Sequence, residues 1–388
     1  MKKTCVKLGD ICTVVSGSTP KSNVSDYWDG DVVWITPAEL TDSSYIVNDS
    51  VRHITQKAVQ ETSLKPFPAG TVILSSRAPI GKTAIAGCEM YCNQGFKNLI
   101  CSSRIYNKYL YFFLSGKTAF LNSLGRGATF KEISKAIVEN IEIRLPDEPE
   151  QRRIADKFEL IRKLEQDCYK QLSFLDELVK SRFVEMFGDC VINQKQWKTR
   201  FLEEIAEVGS SKRVFVEELQ GTGIPFYRGT EVGALAEGKS IAPELFITEE
   251  HYHKLCKATG KPQIGDLLMP SICPDGRIWV VDTENPFYFK DGRVLWVHSI
   301  ISSYNPVFLL YTLKDRIMSD YNSIASGTTF AELKIFSLKK CRVFEVPLEL
   351  QNRFAAFVAE VDKSKLVVKQ SLEKLETLKK SLMQQYFG

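Results

Sequence analysis

The chain has 388 residues, 44% of them hydrophobic and 25% charged, with a net charge of +4. These are globular values, which exclude collagenous, low-complexity and largely disordered chains. The length suggests two or three domains, no apolar run approaches the roughly 20 residues of a membrane helix, and +4 by itself names no partner.

From the N-terminus, Met1-Lys2-Lys3 opens like a secretion signal, but Asp10 interrupts any apolar core, so a cytoplasmic location is expected. Asp26, Asp29 and Asp31 read as a turn before a strand at 32–35 rather than as a nuclease carboxylate set. Apolar runs at 71–74, 267–269 and 278–281 are bounded by Gly, Pro or Asp and predict strands. Segments 106–114 and 306–313 predict helices. His251 and His253 are expected on one face of a strand, beside Glu249-Glu250 on an exposed segment. Strands and helices do not alternate regularly, which favours α+β over a doubly wound fold.

The ten cysteines lack any Cys-x-x-Cys pair, and Cys88, Cys92 and Cys101 have no histidine nearby. They read as reduced thiols, and no metal site is expected.

An internal repeat organises the chain. Gly127-Ala128-Thr129-Phe130-Lys131-Glu132-Ile133 recurs as Gly327-Thr328-Thr329-Phe330-Ala331-Glu332-Leu333, offset by 200 residues. The same offset relates 151–188 to 351–388, with identical Arg153/Arg353, Leu172/Leu372, Leu175/Leu375 and the endings Phe187-Gly188 and Phe387-Gly388. Neither 151–187 nor 351–387 contains glycine or proline, and each stops at a glycine suited to ending a helix. Ile154, Phe158, Ile161, Leu172 and Leu175 lie on one four–three seam. Phe354, Val358, Val361, Leu372 and Leu375 lie on its counterpart. Glu165, Arg182, Lys365 and Lys379 interrupt these seams. Two matching seams in one chain predict an antiparallel intramolecular pair, with a globular unit at each end related by a pseudo-two-fold.

Charge is unevenly spread. Residues 52–144 hold thirteen Lys/Arg against five Asp/Glu, and residues 254–345 hold twelve against nine. The run Tyr91, Asn93, Gln94, Phe96, Lys97, Asn98 adds aromatic and amide groups to the first excess, a composition suited to phosphate contact and base-edge reading. Segment 75–83 aligns with 269–277 as a hairpin presenting Lys82 and Arg277 at equivalent places. Thr129 and Glu132 stand at capping-box spacing, and the small residues before them suit a phosphate cradle.

Catalytic motifs match only partly. Gly81-Lys82-Thr83 lacks the first glycine of a P-loop. Asn285-Pro286-Phe287-Tyr288 and Asn305-Pro306-Val307-Phe308 lack the second proline of the amino-methyltransferase motif. Catalysis by this chain alone is not expected.

The paired units and the entry pattern Leu145-Pro146 with Gln151-Arg152-Arg153-Ile154-Ala155 carry a family resemblance. So do the Phe-Gly helix endings and the duplicated Gly-x-Thr-Phe motifs. Together they resemble the specificity subunit of type I restriction–modification systems. The second copy departs at Val346-Pro347, one residue shorter, and Phe354 replaces the isoleucine. The resemblance implies an α+β chain with target recognition domains at 1–146 and 189–346, and spacer helices at 147–188 and 347–388. It implies a non-catalytic subunit that reads an asymmetric bipartite site on double-stranded DNA. Two methyltransferase subunits and restriction/translocase subunits would dock on it, and S-adenosylmethionine, ATP and magnesium would belong to those partners. Arg77, Lys82, Arg126, Thr129, Lys131, Arg228, Arg277 and Thr329 are the candidate DNA contacts. A self-contained DNA adenine methyltransferase and a coiled-coil scaffold are the alternatives.

Overall fold

The glycine- and proline-free stretches form two long helices in the computed structural model, Glu148–Phe187 and Leu348–Phe387. The structure describes residues 5–62, 64–77, 79–127, 131–326 and 331–388. Each helix begins a turn earlier than its sequence pattern. In the first, the Asp147 carboxylate accepts the Glu150 N–H at 3.1 Å, and Pro149 sits in the first turn, where no N–H is needed. Gly188 ends that helix at φ +84°, a conformation open to glycine at little cost.

The chain divides into two compact units, Met1–Lys170 with Lys369–Gly388, and Gln171–Val368. In the first, Cys12–Val15, Asn98–Cys101, Val72–Leu74, Thr83–Ala86 and Ile46–Val47 form a five-stranded sheet in that order. A smaller sheet orders His53–Ile54, Trp28–Ile35 and Tyr91–Cys92, the last pair parallel. In the second unit, Glu207–Gly209, Val294–His298, Leu267–Pro270 and Trp279–Val280 repeat the order of the main sheet without its fifth strand. Phe246–Ile247, Ile224–Tyr227 and Tyr288–Phe289 repeat the smaller sheet, again with one parallel pair. The helix Gly229–Ala236 packs on Leu267–Pro270. This mixture of mainly antiparallel sheets and segregated helices is the expected α+β class.

The predicted strands and helices at 71–74, 267–269, 278–281, 106–114 and 306–313 are present, the last extended to Ile324. Asn305 accepts the Val307 N–H at 2.9 Å ahead of Pro306, so this Asn-Pro pair starts a helix. His251 and His253 differ from expectation. Thr248 caps the helix Glu249–Thr259, and both histidines lie on it rather than on a strand.

The long helices contribute to the cores of both units. In the first unit, Ile154, Phe158 and Ile161 are buried, and Phe158 stacks on Phe387 with ring centroids 5.7 Å apart. Further along, Glu165 pairs with Lys379 at 3.1 Å, so the two helix segments run antiparallel. In the second unit, Phe183 meets Phe354 at 5.4 Å and Asp176 pairs with Lys365 at 2.7 Å, again antiparallel. Val358 and Val361 are buried there. Leu172, Leu175, Leu372 and Leu375 are half-buried. The seam interruptions at Glu165, Lys365 and Lys379 are therefore cross-helix ion pairs, and Arg182 lies over the Phe357 ring.

One glutamine anchors the start of each long helix to neighbouring loops of its unit. Gln151 is buried; its oxygen accepts the Tyr106 N–H at 2.7 Å, and its amide donates to the Arg104 and Pro146 carbonyls at 3.0 and 2.9 Å. Gln351 makes the same three bonds, from Asn305 N–H at 2.8 Å and to Ser303 and Val346 at 3.1 and 2.7 Å.

Candidate nucleic-acid interface

Strand Val72–Leu74 feeds a loop that returns as Thr83–Ala86, with Leu74 opposite Thr83. In the second unit, Leu267–Pro270 returns as Trp279–Val280, with Leu268 opposite Trp279. Gly81 and Gly276, at φ +95° and +66°, make the two sharp turns just before Lys82 and Arg277. The hairpins are thus equivalent.

Each hairpin is tied to the same two neighbours. Ser76 N–H donates to the Gly95 carbonyl at 2.8 Å, and Ile133 N–H donates to the Ser76 carbonyl at 3.0 Å. The counterparts are Ser271 N–H to Arg293 at 2.9 Å and Leu333 N–H to Ser271 at 2.7 Å. An ion pair repeats across the same frame. Buried Lys97 meets Glu132 at 3.0 Å, and Arg293 meets Glu332. A further loop closes on it in the first unit, where Ser18 N–H donates to the Cys92 carbonyl at 2.9 Å. A Cβ at Gly17 would collide with the Cys92 carbonyl oxygen, so glycine is required there.

The candidate residues fall on this frame as follows. Arg77 and Arg126 both bridge Glu132 through the backbone, which brings them together with Lys131 in one loop cluster. Arg126 and Lys131 are exposed and Arg77 is half-buried, and none has a carboxylate partner among the described residues. Lys82 is half-buried and donates from Nζ to the Leu40 carbonyl.

In the second unit, Arg228 pairs with Glu231 at 2.6 Å and Glu244 at 3.2 Å. Arg277 pairs with Asp275 at 2.8 Å and Glu237 at 3.7 Å. Burial pushes the Glu231 carboxyl up, but hydrogen bonds from the Arg228 side chain and backbone outweigh it and hold the group at about 2. Thr129 and Thr329 lie outside the described residues.

Two sequence expectations are corrected here. The capping box drawn with Glu132 does not form as such. Glu132 is paired in a β-bridge to Arg126, with both N–H···O bonds at 3.0 Å, and its carboxylate is taken by Lys97. The following helix, Lys135–Glu139, is capped instead by Ser134, whose hydroxyl accepts the Ile137 N–H at 3.3 Å. Ala128 and Thr129 of the suggested phosphate cradle lie outside the described residues, and among the described residues after them the first helix starts at Lys135. The aromatic run at 91–98 is mostly interior: Tyr91, Phe96, Lys97 and Asn98 are buried, leaving Asn93 and Gln94 toward the surface. The run joins the end of strand Tyr91–Cys92 to the start of Asn98–Cys101 through a turn whose outer residues are Asn93 and Gln94.

Sequence reading also passed over Lys212, Lys290 and Arg293, which stand on the equivalent turns of the second unit. The first two are exposed, and Arg213 beside them pairs with Asp291 at 3.4 Å. The repeat was too weak at those turns to align them. Burial pushes the Cys92 and Cys273 thiols up to about 12, which keeps them protonated and unreactive. Among the described residues, no group of three or more His, Cys, Asp or Glu is placed to hold a metal ion.

Residues 2–173 and 194–377 each match the family model described as type I restriction modification DNA specificity domain. The chain belongs to that family. Within it, the chain is 30% identical over 378 residues to the type I restriction enzyme MjaIX specificity subunit of Methanocaldococcus jannaschii, covering 91% of this chain and 85% of that protein. It is 23% identical over 407 residues to the MjaVIII specificity subunit of the same organism, covering 97% and 90%. The crystal structure of the type I restriction–modification S subunit from M. genitalium superposes with a TM-score of 0.56 at 14% identity, covering 99% of this chain and 96% of that one. The two family matches fall on the two halves of the repeat, so this specificity-family chain carries the domain twice.

Proposed function

We propose that the chain is the DNA-reading subunit of a type I restriction–modification complex, itself without catalytic activity and working in the cytoplasm. The observation that carries this reading is the family domain, present twice, with the same hairpin, bridge and ion-pair frame in both copies. The two recognition domains occupy 1–146 and 189–346, and each reads one half of an asymmetric, bipartite site on double-stranded DNA. Arg77, Lys82, Arg126, Thr129, Lys131, Arg228, Arg277 and Thr329 belong to the DNA-facing loops.

The helices at 147–188 and 347–388 set the unspecified spacer between half-sites, since a stiff element converts a fixed length into a fixed register. They also dock two methyltransferase subunits, which join restriction subunits and supply the S-adenosylmethionine, ATP and magnesium chemistry. Exposed apolar pairs one turn apart support a docking role: Leu160 and Leu164 in the first unit, Phe174 and Leu178 in the second. Among the described residues, no helix is long and apolar enough to cross a membrane.

Co-expression with a methyltransferase subunit tests the assembly. A stable complex that methylates DNA only when this chain is present is expected. Methyl transfer from S-adenosylmethionine by the purified chain alone would establish a self-contained methyltransferase instead. Failure to bind DNA with or without partners would leave a scaffold.

A further inference from the structure

The two loop frames share a backbone but balance their charges differently. In the first, Arg77, Arg126 and Lys131 have no carboxylate partner among the described residues, and the one acid of the cluster, Glu132, is spent on buried Lys97. In the second, the guanidiniums are paired: Arg228 is held by Glu231 and Glu244, Arg277 by Asp275 and Glu237, and Arg293 by Glu332, while Lys212 and Lys290 are exposed without a carboxylate partner among the described residues. A cation lowers the free energy of phosphate binding by displacing condensed counterions, and it does so only to the extent that its charge is not already neutralised. A carboxylate beside it also brings a like charge toward the phosphate. Paired guanidiniums are therefore poor phosphate clamps.

They suit a different task. The carboxylate bonds of Arg228 use Nε and Nη2 and leave the Nη1 end for another acceptor. For Arg277, the pairs use Nε and Nη1 and leave Nη2. A guanidinium fixed in orientation, with one terminal nitrogen still free to donate, suits an uncharged base acceptor such as guanine O6 or N7 in the major groove.

We infer that the arginines of the two units divide the work: Arg77 and Arg126 of the first unit, with Lys131, grip the DNA backbone. Arg228 and Arg277 of the second unit meet DNA as neutralised pairs that read guanine edges. This division of labour rests on the reading of both loop frames as DNA-facing.

Salt dependence separates the two roles. The binding of the full chain to a fluorescently labelled duplex of arbitrary sequence is followed across a sodium chloride series. Arg126→Ala and Lys131→Ala should each flatten the plot of log K against log salt by about 0.9, the contribution of one phosphate contact. Arg228→Ala and Arg277→Ala should leave its slope unchanged. The double variant Asp275→Asn/Glu237→Gln, which releases Arg277, should bind more tightly and steepen the slope by about 0.9; misfolding cannot produce that gain. A slope flattened as much by Arg277→Ala as by Arg126→Ala, or left unmoved by the double variant, overturns the inference. If the chain binds DNA and no variant in either unit changes that binding, the loop frames are not the interface and the proposed site itself is wrong.

Discussion

Single residues hold the readers in place. Gln151 and Gln351 each satisfy one N–H and two carbonyls where a loop meets a helix, and both are buried. Leucine at either position fills the space and leaves those three groups without partners. Because each orphaned group costs about 1–3 kcal/mol, Gln151→Leu should lower the urea midpoint by a loss of about 3 kcal/mol or more. Glu231 makes a pH-dependent contribution of defined sign. Its folded value, about 2, lies below the ordinary glutamate value of about 4.3, so its stabilisation is complete above the latter and is lost as pH falls toward 2. The stability difference between wild type and Glu231→Gln, followed by acid titration of unfolding, should be constant near neutrality and shrink across that interval.

At the scale of elements, the charged seam positions act as register marks. Glu165 with Lys379 and Asp176 with Lys365 fix which residues of the two helices lie opposite each other. Lys379→Glu should weaken the helix pairing modestly, by about 1 kcal/mol or less because the pair is partly exposed, and Glu165→Lys in the same chain should restore it. Thermal unfolding of the single and double variants measures this coupling. These pairs show what sequence conveys and what it hides. The four–three seam and the glycine stops were legible because helix periodicity is local. The partners of Glu165 and Lys379 were not, because they lie 214 residues apart. The hairpins were legible from strand, glycine and cation order. The exposure of the 91–98 run was not, because it is a short turn packed between two strands, where residue type does not report which side chains face solvent. The helix holding His251 and His253 was missed because a two-residue spacing was weighed above the Thr248 cap. The positions of Thr129 and Thr329 rest on sequence alone.

At the scale of the whole molecule, duplication is the governing fact. Two copies of one domain that differ in sequence suit a DNA target made of two unlike halves. If the long helices set the spacer, lengthening both by about one turn should change the number of unspecified bases and leave both half-sites unaltered. Methylome mapping of the modified DNA would report this. The same mapping with the natural chain and its methyltransferase partner tests the central claim most directly. It should give two fixed half-sites separated by a constant, unspecified spacer, with methylation absent when this chain is omitted. A single contiguous motif, or the same methylation without the chain, would contradict the account.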